Sequence, residues 1–476
     1  MEYEAVIGLE VHAQLKTNTK IFCGCPTSFG ADPNNNVCPV CLGMPGVLPV
    51  LNKRVVEHGI KCGIALNCTI SDRKNYFYPD LPKAYQISQY DQPICTNGYL
   101  MVGDRKVRIH RAHLEEDAGK LVHVGAEGLH GSDHSLADFN RSGVPLMEIV
   151  SEPDLRTPEE ARDYLIELRN IVRYLDVCDG NLEEGSFRCD ANVSIRPVGQ
   201  TELGTKAEIK NMNSFSAVQR AIRSEIDRQI DLVEKGERVV QETRLWNDKT
   251  QSTFSMRSKE DAHDYRYFPE PDLVPVVISK EWVKQIADNL PELPEARRQR
   301  YVKEAGLTYD DANVLVENRD IADFYDEALK AGASPKPAAN HLLGPTMGYL
   351  NESKRQLAET RLSPANLKDI IDSVNSGALN SSTGKQVLLD ILALTQSDSE
   401  VNVADYIQKK GLGQISNVDE IANLIKDILD KNPKQVADYR AGKVKIRGFF
   451  VGEVMKATKG KANPDVINKI LDESLA

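Results

Sequence analysis

The chain has 476 residues, of which 41% are apolar and 27% are charged, and its net charge is −11. This length favours two to four domains, and no apolar stretch approaches the about 18 residues that a transmembrane helix needs. The first residues enter a strand pattern without a basic and apolar leader, and the nine cysteines are an odd number. We therefore expect a cytoplasmic protein in a reducing compartment, with no membrane partner.

Residues 1 to about 290 alternate strand-like segments with turns, and two helices interrupt them. The first helix runs from Thr157 to about Leu175, with Thr157 and Glu160 spaced for a capping box. The second runs from Ser214 to Lys235, and Gly236 takes the position that often ends a helix. Because few helices connect the strands, the pattern predicts an α+β fold with a largely antiparallel sheet. We expect residues 1–290 to form this first domain.

After residue 290 the strand pattern gives way to helical periodicity. One clear helix begins at Ser363-Pro364 and ends near Gly377. We expect an all-α domain over residues 291–405, followed by a separate helical tail domain over residues 406–476.

The tail pattern predicts two helices, Val418–Lys431 and Asp465–Leu475, with Asn417 and Asn463 as their N-caps. A basic connection from Lys443 to Gly452 is expected to join them. The tail carries thirteen Lys and Arg against nine Asp and Glu. A basic module on an acidic body points to a polyanionic partner.

Several charged or polar side chains interrupt segments that otherwise resemble buried strands. Glu10 and His12 are two residues apart, so their side chains leave the same face of a strand. An isolated charge on an apolar face is unfavourable unless it is paired or binds a metal ion. The pattern therefore predicts a sheet that holds a cation and a phosphate-bearing ligand, although Glu10 and His12 alone also fit a salt-bridged core pair. The residues are Glu10, His12, Glu148, Asp190, Asn192, Ser194, Glu208 and Lys210.

The ligand types in these segments indicate which metal is expected. Carboxylate oxygens with a single imidazole suit Mg²⁺ or Mn²⁺ better than zinc. Such an ion is the usual partner of ATP in phosphoryl transfer. Arg141, close to Glu148 in sequence, is a candidate anion partner. The run Glu115-Glu116-Asp117 also fits a solvated acidic turn.

Four cysteines form the strongest local motif, Cys23-Gly-Cys25 and, after twelve residues, Cys38-Pro-Val-Cys41. Two close pairs of thiolates can complete a tetrahedral zinc site, and closed four-cysteine sites are structural. The motif predicts a structural Zn²⁺ knuckle; four buried thiols are the alternative.

Two segments, Arg73–Asp80 and Asp264–Asp272, combine aromatic side chains with cations. Either could stack a base and hold a phosphate. Strands that bury Tyr and Phe explain them equally well.

Taken together, several long stretches resemble the GatB/GatE family, whose members are the B components of the bacterial tRNA-dependent amidotransferases. The resemblance runs from end to end, and the tail resembles the YqeY-type module that ends members of this family. The matching stretches are Gly8–His12, Asp72–Asp80, Lys83–Gln89, His113–Lys120, Asn140–Asp154, Arg188–Ser194, Lys210–Ser214 and Asp264–Asp272.

The resemblance implies a catalytic cradle domain with a glutamine-synthetase-like fold, a helical domain and a tRNA-binding tail. It implies a carbon–nitrogen ligase with glutamine as amido donor. In this reaction ATP phosphorylates the side-chain carboxylate of glutamate on tRNA(Gln), or of aspartate on tRNA(Asn), and ammonia then displaces the phosphate.

The resemblance also implies site residues and partners. Mg²⁺ ligands map onto Glu10, His12, Glu116 and Glu148, and Lys74 maps near the phosphates. With the polar strand residues, this gives an expected nucleotide and substrate site at Lys74, Arg141, Asp190, Asn192 and Lys210. The sequence shows no convincing amidase nucleophile, so we expect an amidase (A) subunit to supply ammonia and a small C subunit to complete a heterotrimer.

Two other functions stay open at this point. One is a zinc-stabilised RNA-binding protein whose acidic strand residues form core salt bridges. The other is an amide ligase that acts alone on a small molecule.

Overall fold

The computed structural model describes residues 2–77, 89, 92–124, 134–258, 270–413, 418–458, 462 and 464–475. It divides into two compact units, Met1–Pro294 and Glu295–Ala476. The three-domain division with boundaries at 290 and 405 stays a prediction. Parts of both aromatic–cationic segments (78–80 and 264–269), most of the matching stretch 83–89, and the expected caps Asn417 and Asn463 lie outside the described residues.

The first unit is built on a nine-stranded sheet with the order β12-β11-β10-β9-β1-β8-β5-β4-β2. Every neighbouring pair is antiparallel except β10 and β11, which are parallel. Two small two-stranded sheets pair β3 with β13 and β6 with β7. The largely antiparallel α+β fold is therefore confirmed. The strands are β1 Tyr3–Gln14, β2 Thr69–Ile70, β3 Lys74–Asn75, β4 Cys95–Val102, β5 Arg105–Glu116, β6 Lys120–Val124, β7 His134–Asp138, β8 Pro145–Ser151, β9 Phe187–Pro197, β10 Ala207–Lys210, β11 Glu242–Asn247, β12 Ser252–Ser258 and β13 Val276–Val277.

The two faces of the large sheet differ because side chains alternate along each strand. On β1, Ile7, Leu9 and Val11 point into an apolar core. Three of the described helices of the first unit contribute buried residues to this core, and the fourth, Lys280–Ala287, packs partly buried residues against it, so they cover this face. The residues between them, including Glu10 and His12, point to the opposite face, where the polar side chains collect. The helices are α1 Lys53–Ala65, α2 Pro158–Tyr174, α3 Phe215–Glu234 and α4 Lys280–Ala287.

The two helices predicted from the sequence of the first unit are confirmed as α2 and α3. Ser214 caps α3, and Gly236 follows it with a φ of 80°. Thr157 caps α2 by accepting a hydrogen bond from the Glu160 amide. The second half of the predicted capping box is wrong, because the Glu160 carboxylate accepts from the amide of Arg156 and from the guanidinium of Arg105 instead.

The second unit is helical throughout its described regular structure. The helix predicted after Ser363 is confirmed, since Ser363 caps α10 and Gly377 follows it with a φ of 75°. Within the described ranges, none of the helices combines the length and apolar character that crossing a membrane requires. The helices are α5 Pro294–Glu304, α6 Tyr309–Glu317, α7 Arg319–Lys330, α8 Pro335–His341, α9 Met347–Ser353, α10 Pro364–Asn375, α11 Ser381–Ala393, α12 Val403–Lys410, α13 Val418–Lys431, α14 Pro433–Arg440, α15 Arg447–Ala457 and α16 Pro464–Leu475, with a π-helix at Leu342–Thr346 and 3-10 turns at Leu357–Glu359 and Val444–Ile446.

The tail contains the two predicted helices as α13 and α16, but the basic connection predicted between them is wrong. Most of it belongs to the helix α15. Phe450 and Val454 are four residues apart, so they share one helical face, and both are fully buried. They join a small apolar core with residues of α13 and α16, and this packing makes the segment helical despite its basic residues.

Candidate active site and metal centres

The polar face of the large sheet is organised by strand register. His12 lies opposite Glu148 on the neighbouring strand, and Glu148 lies opposite His113 on the next one. On the other side of β1, Glu10 lies opposite Asp190. Residues directly opposite one another in a sheet point to the same face. Four neighbouring strands therefore direct these side chains to one place.

A cluster of carboxylates and imidazoles occupies the centre of this face. The His12 Nε2 atom is 3.4 Å from Glu148 Oε2 and 3.5 Å from Glu115 Oε2. The His113 Nε2 atom is 2.9 Å from Glu115 Oε1 and 3.7 Å from Glu148 Oε2. Two sets of candidate ligands result, one of Glu10, His12 and Glu148 and one of His113, Glu115 and Glu148. Glu148 belongs to both.

Burial shifts the protonation equilibria of this cluster. Burial is the largest cause that raises the pKa of Glu10, and the negative charge of Glu148 is the next. The same two causes raise the pKa of Glu115 well above its usual range. Burial alone would also raise the pKa of Glu148, but the hydrogen bond from His12 and the imidazole of His113 hold it at about 2. Burial lowers the pKa of His113 to about 4. The cluster thus favours a cation over further negative charge.

The donor set fits a hard divalent cation. Ligand atoms placed octahedrally at about 2.1 Å from Mg²⁺ are about 3.0 Å apart when adjacent and about 4.2 Å apart when opposite. In each of the two sets the ligand atoms lie within 4.8 Å of one another. Oxygen atoms with one or two imidazole nitrogens suit Mg²⁺ or Mn²⁺. The Mg²⁺ role of Glu10, His12 and Glu148 stays a prediction that this geometry supports.

The expected ligand Glu116 does not take part in either set. Glu115 does, because it alternates with His113 along β5 and so shares its face, whereas Glu116 points the other way. The alternative of a solvated acidic turn is wrong, since Glu115, Glu116 and Asp117 are all at most 2% exposed. His113 and Glu115 were not predicted as metal ligands from the sequence, although the period-two spacing of His113-Leu-Glu115 indicates that they share one face of the strand.

A second group of charges extends from the cluster across β9 and β10. The Lys210 ammonium bonds the Asp190 carboxylate and lies 3.5 Å from Glu208 Oε1. Glu208 Oε2 in turn accepts a hydrogen bond of 2.8 Å from the Thr243 hydroxyl. Lys210 is mostly buried; burial alone would lower its pKa, but Asp190 and Glu208 raise it. The structure therefore brings Asp190 and Lys210 together beside Glu10, as expected of a shared site.

A cavity of about 200 Å³ opens on the same face, next to Glu10 and Asp190 along their strands. Gly8 and Asn192 lie opposite each other in its wall, where the lack of a side chain at Gly8 leaves space. Ser194 and Lys206 also line it. Asn192 is thus placed at a cavity beside the cluster.

Three arginines border the cluster. Arg141 Nε donates to the Ala118 carbonyl oxygen at 3.0 Å and lies 3.4 Å from Asp117 Oδ2. Arg188 bonds the other oxygen of Asp117 at 3.3 Å, and Arg111 lies 3.5 Å from Glu148 Oε1. Arg141 is partly exposed and can meet an anion. Arg111 and Arg188 were not predicted as site residues from the sequence.

Lys74 lies outside the large sheet. It belongs to the two-stranded sheet of β3 and β13, opposite Val277, and its side chain is exposed. Its expected role near the phosphates stays a prediction.

The four motif cysteines come together in the loop after β1. Cys41 Sγ is 4.0 Å from Cys25 Sγ and 3.9 Å from Cys38 Sγ. Sulfur atoms bound tetrahedrally at about 2.3 Å from Zn²⁺ stand about 3.8 Å apart, so the spacing fits a zinc site. A hydrogen bond from Cys23 and a backbone amide of the knuckle lower the pKa of Cys41 to about 4. The alternative of four buried thiols fits poorly, because three of the cysteines are only partly buried.

Comparison with known proteins identifies the family. A model of the GatB/GatE catalytic domain matches residues 5–284, and a model of the GatB domain matches residues 323–475. The chain is 54% identical over 480 residues to the B component of the aspartyl/glutamyl-tRNA(Asn/Gln) amidotransferase of Thermodesulfovibrio yellowstonii, and the match covers 99% of each chain. It is 52% identical to the proteins of the same name from Carboxydothermus hydrogenoformans and Acaryochloris marina, over 100% of this chain and 99% and 98% of theirs. This chain therefore belongs to the GatB/GatE family.

Proposed function

We propose that this chain is the subunit of an amidotransferase that uses ATP to amidate glutamate on tRNA(Gln), aspartate on tRNA(Asn), or both. The observation that carries the proposal is the convergence of Glu10, His12, Glu115 and Glu148 on one buried patch of the sheet. Such a group is the kind of site that aligns a nucleotide phosphate with an acceptor. The family membership supports the choice of substrate.

The chemistry explains why such a site is needed. A carboxylate is a poor acyl donor, so an oxygen of the substrate carboxylate first attacks the γ-phosphorus of ATP and releases ADP. Ammonia then attacks the acyl carbon of this acyl phosphate, and the C–O bond to phosphate breaks. Positioning and charge stabilisation provide most of the catalysis of the first step.

Each group on the polar face has a proposed role. Glu10, His12, Glu115 and Glu148 would hold Mg²⁺, which neutralises phosphate charge when it is bound. Lys210, Arg141 and Lys74 would contact phosphate or carboxylate oxygens as cations. Asp190 and Asn192 would orient the substrate, Asp190 by fixing Lys210 and Asn192 at the wall of the neighbouring cavity. The four cysteines would hold a structural Zn²⁺.

The same proposal includes partners. The relatives are named as one component of an amidotransferase, so we infer that the chain works in a multi-subunit complex on aminoacyl-tRNA. An amidase (A) subunit would supply ammonia from glutamine, and a small C subunit would complete the heterotrimer. The net positive tail would contact the tRNA backbone, whose phosphates attract Lys and Arg.

The decisive assay uses the chain co-expressed with its candidate amidase and small partners. We expect Glu148→Gln to lower ATP hydrolysis and amide formation on Glu-tRNA(Gln) or Asp-tRNA(Asn) by about 100-fold or more. The expected loss should be the same with glutamine and with ammonium as donor, because Glu148 acts on the phosphoryl transfer.

Glu183→Gln, at an exposed loop position, is the matched control. Wild-type protein that binds tRNA but turns over no ATP would overturn the proposal in favour of an RNA-binding protein. Amidation of free glutamate at the same rate as of Glu-tRNA would instead indicate a small-molecule ligase.

A further inference from the structure

Lys20 is a lysine without exposed surface that contacts both the four-cysteine knuckle and the turn between β7 and β8. Its ammonium donates to the carbonyl oxygen of Asn36 at 2.7 Å and to that of Phe139 at 3.3 Å. The third contact is the Cys41 sulfur, 3.6 Å away. These three acceptors match the three donors of a lysine.

The charge of this buried ammonium needs a counter-ion. Among the described residues, its hydrogen-bond partners are two carbonyls and a sulfur, and none is a carboxylate. A buried cation is unfavourable unless an anion lies close. A zinc ion bound by four thiolates carries two negative charges in total, so a loaded knuckle supplies that anion at Cys41.

Further hydrogen bonds join the knuckle loop to the turn that contains Phe139. Asn34 Nδ2 donates to the Ala137 carbonyl at 2.9 Å, and Asn34 Oδ1 accepts from the Phe139 amide at 2.8 Å. Asn140 Nδ2 donates to the Asp32 carbonyl at 2.7 Å, while its Oδ1 accepts from the Asn36 amide at 2.8 Å. The turn between β7 and β8 is therefore built against the knuckle.

This turn leads directly to the site described above. Arg141 follows Asn140, and its guanidinium reaches Ala118 and Asp117 at the edge of the carboxylate cluster. On the same turn, Ser142 Oγ donates to the Cys41 carbonyl at 3.4 Å. The knuckle thus bonds the side chains of the residues on both sides of Arg141, Asn140 and Ser142.

We propose that Lys20 is a positioning residue that neutralises the zinc–thiolate centre at Cys41 and, through Phe139, couples zinc occupancy to the placement of Arg141. The inference depends on the proposed zinc site, but not on the amidation reaction. The knuckle and the turn that carries Arg141 are thus joined by this buried cation in addition to the hydrogen bonds of Asn34, Asn140 and Ser142.

The test uses the full-length chain loaded with zinc, or with cobalt as a spectroscopic probe. Lys20→Met should release zinc to a chromogenic chelator at least about tenfold faster than wild type, since losing an outer partner of a metal ligand commonly lowers affinity about 10- to 100-fold. The thiolate-to-cobalt absorption band should move to lower energy, because Cys41 loses its N–H donor. Lys20→Arg should restore both readouts in part.

Lys16→Met is the matched control, because Lys16 is half exposed and pairs only with Asp176 among its described partners. Lys20→Met with the release rate and cobalt band of Lys16→Met would overturn the proposal. If Lys20→Met does not fold, hydrogen exchange of wild type decides: removing zinc should raise exchange at residues 137–143, and unchanged exchange there would overturn the coupling. Wild type that binds no zinc would overturn the zinc site and this inference together, whereas loss of amidation alone would concern only the proposed function.

Discussion

Three carboxylates, Glu10, Glu115 and Glu148, share one desolvated patch with two imidazoles. Like charges this close cannot all be ionised without a cation, so burial raises the pKa of Glu10 and Glu115 while Glu148 stays ionised. A bound divalent ion would reverse this balance and allow all three to ionise.

A third buried histidine, His58, predicts how stability depends on pH. His58 is 1% exposed, and burial lowers its pKa from 6.5 to about 4. Between these pH values the unfolded chain binds a proton that the folded chain does not. The contribution of His58 to the free energy of unfolding is therefore largest above pH 6.5 and should fall by about 3 kcal/mol as the pH is lowered to 4.

The measurement is denaturant unfolding of wild type, His58→Gln and His134→Gln between pH 4 and 7.5. His58→Gln should flatten this part of the pH dependence, and the exposed His134 provides the matched control. A His58→Gln curve that falls between pH 6.5 and pH 4 as steeply as the wild-type curve would contradict the assignment.

At the scale of single elements, strand alternation allowed most of the site to be predicted. Glu10, His12, Glu148 and Asp190 lie on strands in which the neighbouring apolar residues show which side chains point to the core and which point to the polar face. β5 was harder, because Glu115, Glu116 and Asp117 are consecutive acids and the sequence alone does not say which one faces Glu148. The pairing of β5 with β8 determines which of these acids faces Glu148. This pairing depends on contacts between residues that are far apart in the sequence. Lys20 was missed for the same reason, since its partners are 16 to 119 residues away.

Helix α3 contains a fully buried carboxylate, Glu225, which faces the neighbouring strands. Glu225 bonds Arg228 at 2.6 and 2.9 Å and lies 3.4 Å from Arg244. Glu225→Gln would remove one of the two anions that these guanidinium groups share, the other being Glu242. We expect the free energy of unfolding to drop by about 3 kcal/mol, as for other broken buried ion pairs.

Glu159→Gln is the matched control on α2, because Glu159 pairs with Arg223 at the surface. It should change stability by less than about 1 kcal/mol. Thermal and urea unfolding of both variants would give the comparison, and equal effects would show that the network around Glu225 is not the stabilising one.

At the scale of the whole molecule, the helical content after residue 290 followed from periodicity and caps. The tail shows the limit of this approach. The basic segment after Lys443 looked like a connection, yet α15 forms there because Phe450 and Val454 meet residues of α13 and α16. Such packing partners are distant in sequence, so local composition was misleading.

If the proposed function is right, the tail should contribute to the binding of aminoacyl-tRNA. Deleting residues 406–476 should raise the KM for aminoacyl-tRNA, with a smaller change in kcat, because the basic module contributes binding to the RNA backbone. The affinity of the full chain for tRNA should fall steeply between about 50 and 200 mM salt, and that of the truncated chain less so. Equal salt slopes for the two chains would contradict a tail–RNA contact.

We infer from the pairing of β5 with β8 that Glu115 and Glu148 on the polar face would bind a divalent ion. Mn²⁺ binding, followed by electron paramagnetic resonance of wild type, Glu115→Gln, Glu148→Gln and the neighbouring control Glu116→Gln, tests it most directly. We expect Glu115→Gln and Glu148→Gln to weaken Mn²⁺ binding by about tenfold or more. Glu116→Gln should retain the wild-type affinity for Mn²⁺. Retained affinity in Glu115→Gln together with its loss in Glu116→Gln would contradict it.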